Sequence, residues 1–232
     1  MTTANDTYDT RHVPDWLLWQ LIDSAFPTGG FAHSCGLEAA VQQGEVNSHA
    51  ELADFFRTSL TQTGRAQQPL VLAARAAPDR MPELDVTCDA MLRNHVANRA
   101  SRAQGQAFLV AGEKAFDAAG IGRLRMVVRR DRLPGHFAPA FGASAGLLEF
   151  PPFTTAMAFL FVTLRGLVSA AVRLGIVGPL QAQAMQYDVA PYAQGVAERF
   201  MDAPEHSAAQ TAPLIDILQG AQDRLYSRLF QT

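Results

Sequence analysis

This 232-residue chain is poor in lysine and cysteine: Lys114 stands alone against eighteen arginines, and the only thiols are Cys35 and Cys88. Two cysteines cannot build a disulfide framework, so a reducing cytoplasmic setting is expected. Excess positive charge is absent too. A net charge of −3 and a pI near 6.0 exclude a generic nucleic-acid binder. The first fifteen residues, MTTANDTYDTRHVPD, lack the basic start and apolar core of a secretion signal. They read as a polar, flexible tail over 1–14, followed by a single domain over 15–232. There is no succession of βαβ units and no internal repeat, which removes the nucleotide-binding α/β folds and the solenoids.

What is present is apolar helical periodicity in a chain that is 48% hydrophobic and 18% charged. Trp16 to Ile22 reads as a helix entered after Pro14. Ser48 and Glu51 have capping-box spacing and open a helix with Leu52, Phe55, Phe56 and Leu60 on one face, stopped at Gly64. Pro69 and Pro82 each start a further helix, the second reaching Val96, and Ser101 with Gln104 caps the next. Gly120 to Pro134 is arginine-rich and breaks the pattern, with an extended piece expected around Met126 to Val128. A small-residue helix from about Gly135 to Leu148, a long apolar helix after Pro151 and Pro152, a helix from Pro179 kinked or restarted at Pro191, and two short C-terminal helices complete the chain. The expected fold is all-α, a single-domain helical bundle of about eight to ten helices. The stretch 153–177 has the length of a membrane span, but Arg165 at its centre and Arg173 beyond it favour a core helix and no membrane. The two arginines share a face, and ion pairing inside the protein or across an interface is expected of them.

The least ordinary stretch is SAFPTGGFAHSCGLE at 24–38. Gly29 and Gly30 could cradle an anion. A nucleotide loop, however, requires G-x-x-x-x-G-K-[ST] after a strand, and here the flanks are helical. His33 and Cys35 could share a metal ion only in a loop, and no third ligand stands nearby; His12, His49, His95, His136 and His206 are scattered. No metal site and no cofactor are expected, although a stand-alone nickel chaperone using His33 and Cys35 stays open. Residues 142–146 match G-x-S-x-G, with Asp188 and His206 following in hydrolase order. An α-helical hydrolase using Ser144 is therefore a second alternative, against the simpler reading of a small-residue helix face. No residues form a convincing catalytic constellation, and a binding protein fits better than an enzyme.

Several motifs together resemble the UreF family of urease accessory proteins: LLWQLIDS at 17–24 running into FPTGGF at 26–31, SCGLE at 34–38, HFAPAFG at 136–142, LVSAAVRL at 167–174 and YSRLF at 226–230. The resemblance runs from about residue 15 to the end. It implies an all-helical, cytosolic, non-catalytic homodimer. Such a protein binds a UreD/UreH-type accessory protein, recruits and regulates a UreG-type GTPase, and serves nickel delivery to apo-urease. It also implies partner-binding roles for Phe26, Pro27, Gly29, Gly30, His33 and Glu38 around the opening loop, for Arg165 and Arg173, and for Tyr226, Ser227, Arg228 and Phe230 in a tail that orders on binding. Pro27 with the glycine pair fixes a tight turn whose backbone a β-carbon would obstruct, with Phe26 and Phe31 as flanking anchors or as core packing. If the chain supplies an arginine to the GTPase, Arg165, Arg173 and Arg228 are the candidates. Relatives often carry His-Glu where Gln222 and Asp223 stand here, and a residue other than cysteine at Cys35.

Overall fold

The computed structural model describes residues 14–116 and 120–232, so the expected tail lies outside the described residues up to residue 13. Eleven α-helices and no strand occur among the described residues. They are α1 (Pro14–Ile22), α2 (Leu37–Gln42), α3 (His49–Ala66), α4 (Gln68–Ala76), α5 (Met81–Met91), α6 (His95–Ala115), α7 (Ile121–Arg130), α8 (Phe137–Leu147), α9 (Pro152–Arg173), α10 (Pro179–Arg199) and α11 (Pro213–Ala221). Short 3₁₀ turns punctuate them. The all-α expectation holds.

Local chemistry accounts for most helix starts. The Ser48 hydroxyl accepts from the Glu51 amide at 3.2 Å, and the Glu51 carboxylate accepts from the Asn47 amide at 2.8 Å, satisfying two end donors of α3. Prolines occupy the first turn of α4, α5, α9, α10 and α11, where their missing N–H costs nothing. Five expectations are corrected. The helix entered near Pro82 ends at Met91, short of the expected Val96, which lies in α6. α3 runs through Gly64, which is there for contact: a β-carbon would strike the Val196 side chain and come within 2.8 Å of the Phe200 ring. The cap of α6 is Asn94, whose side chain accepts from Val96 and Ala97, and Ser101 lies inside the helix. The Ser101 hydroxyl instead meets the His136 ring at 3.1 Å and accepts from the Phe137 amide at 3.3 Å, at the start of α8. The extended piece near Met126 is helix α7, because Ile121, Leu124 and Val128 recur at helical spacing and are buried. α10 does not restart at Pro191 but continues through it.

Two apolar clusters form the core, with α4 and α9 lying between them. One is built on a chain of phenylalanine rings, Phe26, Phe108, Phe116, Phe137, Phe141 and Phe159, with centroids 5.4–5.9 Å apart. Each buried ring contributes roughly 1.5–3 kcal/mol by leaving water. The other joins Phe56, Leu60, Leu160, Leu164, Val189 and Val196 across α3, α9 and α10. α9 is long and apolar enough to cross a membrane, but it lies between the two clusters, with more than half of its most apolar stretch buried, and reads as a core helix.

The G-x-S-x-G segment is a packing device. β-carbons at Gly142 and Gly146 would land on the carbonyl oxygens of Val71 and Arg75, so the two glycines let α8 lie directly against α4. Ser144 is fully buried in the middle of α8 and its hydroxyl has no hydrogen-bond partner. Among the described residues no base is hydrogen-bonded to it, and no strand-to-helix elbow presents it.

Candidate functional site

Residues 22–36 leave α1, turn back, and deliver the chain to α2. The Thr28 amide donates to the Phe26 carbonyl at 2.8 Å across Pro27, and the Thr28 hydroxyl accepts from Gly30 at 3.4 Å. A 3₁₀ turn over Gly30–Ala32 follows. Gly29 is required for its φ of 71°, because a β-carbon there would meet nothing within 4 Å. At Gly30 the nearest atom would be 3.5 Å away. The expected obstruction therefore lies elsewhere, at Gly36, where φ is 87° and a β-carbon would sit 3.1 Å from the Gln219 backbone nitrogen. Cys35 also has a positive φ, 54°, and its carbonyl accepts from the Gln219 side chain at 3.3 Å. Two helix–loop contacts thus fix the turn from outside.

The two anchors separate. Phe26 is buried and packs on Phe116 at 5.8 Å and Phe108 at 5.9 Å, whereas Phe31 is 70% exposed. Pro27 is exposed; Gly29 and Gly30 are half-buried.

Arg165 and Arg173 do not form ion pairs among the described residues. Each donates to a backbone carbonyl: Arg165 to Ile22 at the end of α1, and Arg173 to Phe31 beyond the glycines. The two arginines of α9 therefore hold both ends of the opening loop. Burial lowers the proton affinity of Arg165, partly offset by the nearby Asp23 carboxylate. The Arg173 guanidinium also lies over the Phe230 ring, 4.2 Å from its centroid, and 6.0 Å from that of Phe31.

That second contact brings in the C-terminus. After α11 and a 3₁₀ turn over Gln222–Arg224, the last residues cross α2 and the loop. The Gln231 amide donates to the Ala32 carbonyl at 2.9 Å and the Ser34 amide to the Thr232 carbonyl at 2.8 Å. Glu38, fully buried, is the centre of this seam. Its carboxylate accepts from the amides of Leu229 at 2.5 Å and Phe230 at 3.2 Å and from the Gln222 side chain at 2.6 Å. Buried carboxylates need such donors, and here the tail supplies them. His33 is buried as well, hydrogen-bonded to the Thr232 hydroxyl. Burial, with a smaller contribution from the Arg99 charge, pushes its pKa down to about 4. Cys35 is exposed as a residue, with its thiol pKa pushed up to about 11 by burial, while His33 is buried, and no group of three or more His, Cys, Asp or Glu side chains that could hold a metal occurs among the described residues. Ring nitrogens of His95 and His136 are bonded to Asp223 and Asp89.

What the seam leaves outward is aromatic and cationic. Tyr226 is fully exposed, Ser227 and Arg228 are exposed, and Phe230 is buried beneath them. Asp223 holds this edge: it accepts from Arg99 at 2.9 Å, from Arg228 at 3.4 Å and meets His95 at 3.1 Å. Gln222 and Asp223, noticed in the sequence only as departures, are thus an inward latch and an outward clasp. Their signal was position, two residues before YSRLF. Thr232 carried no signal at all, since its partners His33 and Ser34 lie far away in sequence.

An all-helical chain with a shaped, aromatic and arginine-bearing face has the features of a recognition protein. A family model described as UreF matches residues 46–190. Urease accessory protein F of Oryza sativa subsp. indica is 42% identical over 221 residues, covering 94% of this chain and 85% of the relative, and that of Arabidopsis thaliana is 41% identical over 223 residues, covering 93% and 91%. Urease accessory protein UreF of Arthrobacter sp. (strain FB24) is 27% identical over 215 residues, covering 93% and 96%. The chain belongs to the UreF family of urease accessory proteins. The family-model match excludes both the opening loop and the tail, while the full-length relatives span most of the chain.

Proposed function

We propose that this chain is a cytoplasmic, non-catalytic adaptor in urease maturation. It acts as a homodimer, binds a UreD/UreH-type scaffold protein through the tail and the loop beside it, and recruits a UreG-type GTPase whose hydrolysis it regulates. The assembly inserts nickel into apo-urease, and the chain itself needs no cofactor or resident metal. The observation that carries this reading is the seam joining the opening loop to the tail. Arg173 touches both Phe31 and Phe230, and so joins the loop that displays Phe31 to the tail that displays Tyr226 and Arg228. Exposed aromatics and arginines of this kind are characteristic interface anchors. The 41–42% identity to urease accessory proteins sets the process in which the face works.

The test is GTP hydrolysis by the UreG-type protein alone, with this chain, and with this chain plus the UreD-type protein. The expected result is a change in rate that requires all three components and is lost in Tyr226→Ala. An unchanged rate in the full mixture overturns the regulatory part. Single alanine variants at Arg165, Arg173 and Arg228 then ask whether any of the three reaches the GTPase, and no loss in any removes the arginine-finger idea.

A further inference from the structure

α6 presents one face to solvent along its whole length. His95, Arg99, Arg102, Gln106, Val110 and Lys114 follow at steps of three and four, and all are exposed. Two hollows lie along this face. One, of about 720 Å³, is lined by Arg93, His95, Arg99 and Arg102. The other, of about 1280 Å³, lies between α6 and α1 and is walled by Trp16, Trp19 and Val110. Ala103 and Gln106 line both, so the hollows form one groove, basic at one end and apolar at the other.

Each half lacks something. Trp16 and Trp19, the only two tryptophans of the chain, are 63% and 60% exposed, with rings 6.2 Å apart. Large indoles left in water mark an interaction site more often than a bare surface. At the other end, the side chains of Arg93 and Arg102 make no hydrogen bond or ion pair among the described residues, whereas Arg99 and His95 already hold Asp223. Asp223 shows the geometry with which this end receives a carboxylate. Asp89, also in the basic hollow, is bonded to Asn98 at 2.9 Å and His136 at 3.0 Å; it feels the Arg102 charge but makes no hydrogen bond to either guanidinium.

We propose that the α6 groove docks an amphipathic helical segment of a partner protein. Its carboxylates lie over Arg93 and Arg102, and its bulky apolar side chains lie against Trp16, Trp19 and Val110. Charge complementarity selects the acidic end, and the apolar half, with a net charge of −3 for the chain, argues for protein rather than nucleic acid. A 21-residue helix extends roughly 30 Å, enough for about five turns of a docked helix. The proposal does not depend on which accessory protein supplies the segment.

Because both tryptophans wall the groove, intrinsic fluorescence of the full chain reads its occupancy directly. The probe is a synthetic 18-residue amphipathic helix with three glutamates in its first turn and a leucine and phenylalanine stripe. Saturable shielding of the tryptophans from acrylamide is expected. It should weaken about tenfold or more when the glutamates become glutamines and in the Arg93→Glu/Arg102→Glu variant, and return when that variant meets the peptide with lysines in place of the glutamates. Circular dichroism of the variant should be unchanged, since both sites are exposed. Binding indifferent to these charges, or none at all, overturns the proposal. So does shielding already present in the free monomer, which would mean that residues 1–13 fill the groove, or shielding that grows with chain concentration, which would mean that a second copy does.

Discussion

The buried carboxylate of Glu38, in the first turn of α2, accepts the backbone amide of Phe230 at 3.2 Å, across 192 residues of sequence. With Leu229 and Gln222 on the same group, Glu38 makes the tail part of the fold. Glu38→Ala should leave the Leu229 and Phe230 amides without an acceptor and the Gln222 side chain with only its longer bond to the Phe230 carbonyl, at about 1–3 kcal/mol for each amide that water cannot reach. Hydrogen exchange at Leu229 and Phe230 should accelerate strongly. Exchange in the α8 core should change far less. Equal protection in the variant would show that the tail is held by something else.

Arg173→Lys should behave as a disruptive change. Lysine keeps the charge but loses the planar group that lies on Phe230 and donates to the Phe31 carbonyl. A loss of about 1 kcal/mol in thermal unfolding is expected, with faster exchange in both the loop and the tail. Faster exchange in only one of them would separate the two.

His33 sets a pH dependence. Its folded pKa, near 4, lies below the ordinary 6.5 because the ring is buried. Between those values the unfolded chain binds a proton that the folded chain does not. The contribution is therefore fully present above pH 6.5 and is lost as pH falls toward 4, at up to about 1.4 kcal/mol per pH unit. Burial pushes the Asp85 and Asp216 carboxyls the other way, so they oppose this trend in acid. The difference between the wild-type chain and His33→Asn isolates the histidine: urea denaturation from pH 7 to 4.5 should show a shallower decline in the variant. Parallel curves would deny it the role.

The glycines of α8 and its serine should part company. Gly142→Ala and Gly146→Ala press a methyl group onto backbone carbonyls of α4 and should cost about 3 kcal/mol each. Gly64→Ala meets side chains that can turn aside and should cost less. Ser144→Ala removes a buried hydroxyl with no partner and should be neutral or slightly stabilising. Chemical denaturation of the four variants checks the order, and a large loss at Ser144 would point to an unseen role for its hydroxyl.

Much of the architecture was legible because helix signals are local. Apolar spacing, the Ser48 cap and the first-turn prolines act within a few residues, and they placed α1, α3, α4, α8 and α9 closely. The errors came where a local sign competed with a distant partner. Gly64 resembles a stop but is a contact with α10; Ser101 resembles a cap but serves α8, 36 residues on. Val127 and Val128 have strand propensity, yet the buried face of α7 overrides it. At the site, the loop and the tail stood out by composition. That Glu38 joins them, or that Arg165 and Arg173 seek carbonyls instead of carboxylates, depends on tertiary placement that no short window of sequence contains.

The adaptor reading is tested most directly by co-expressing this chain, alone carrying a tag, with the host's UreD-type and UreG-type proteins, and sizing the eluate by light scattering. The account expects one complex containing two copies of each chain, lost when Tyr226 and Arg228 are replaced by alanine. A tagged chain that elutes folded, with neither partner bound, would contradict it.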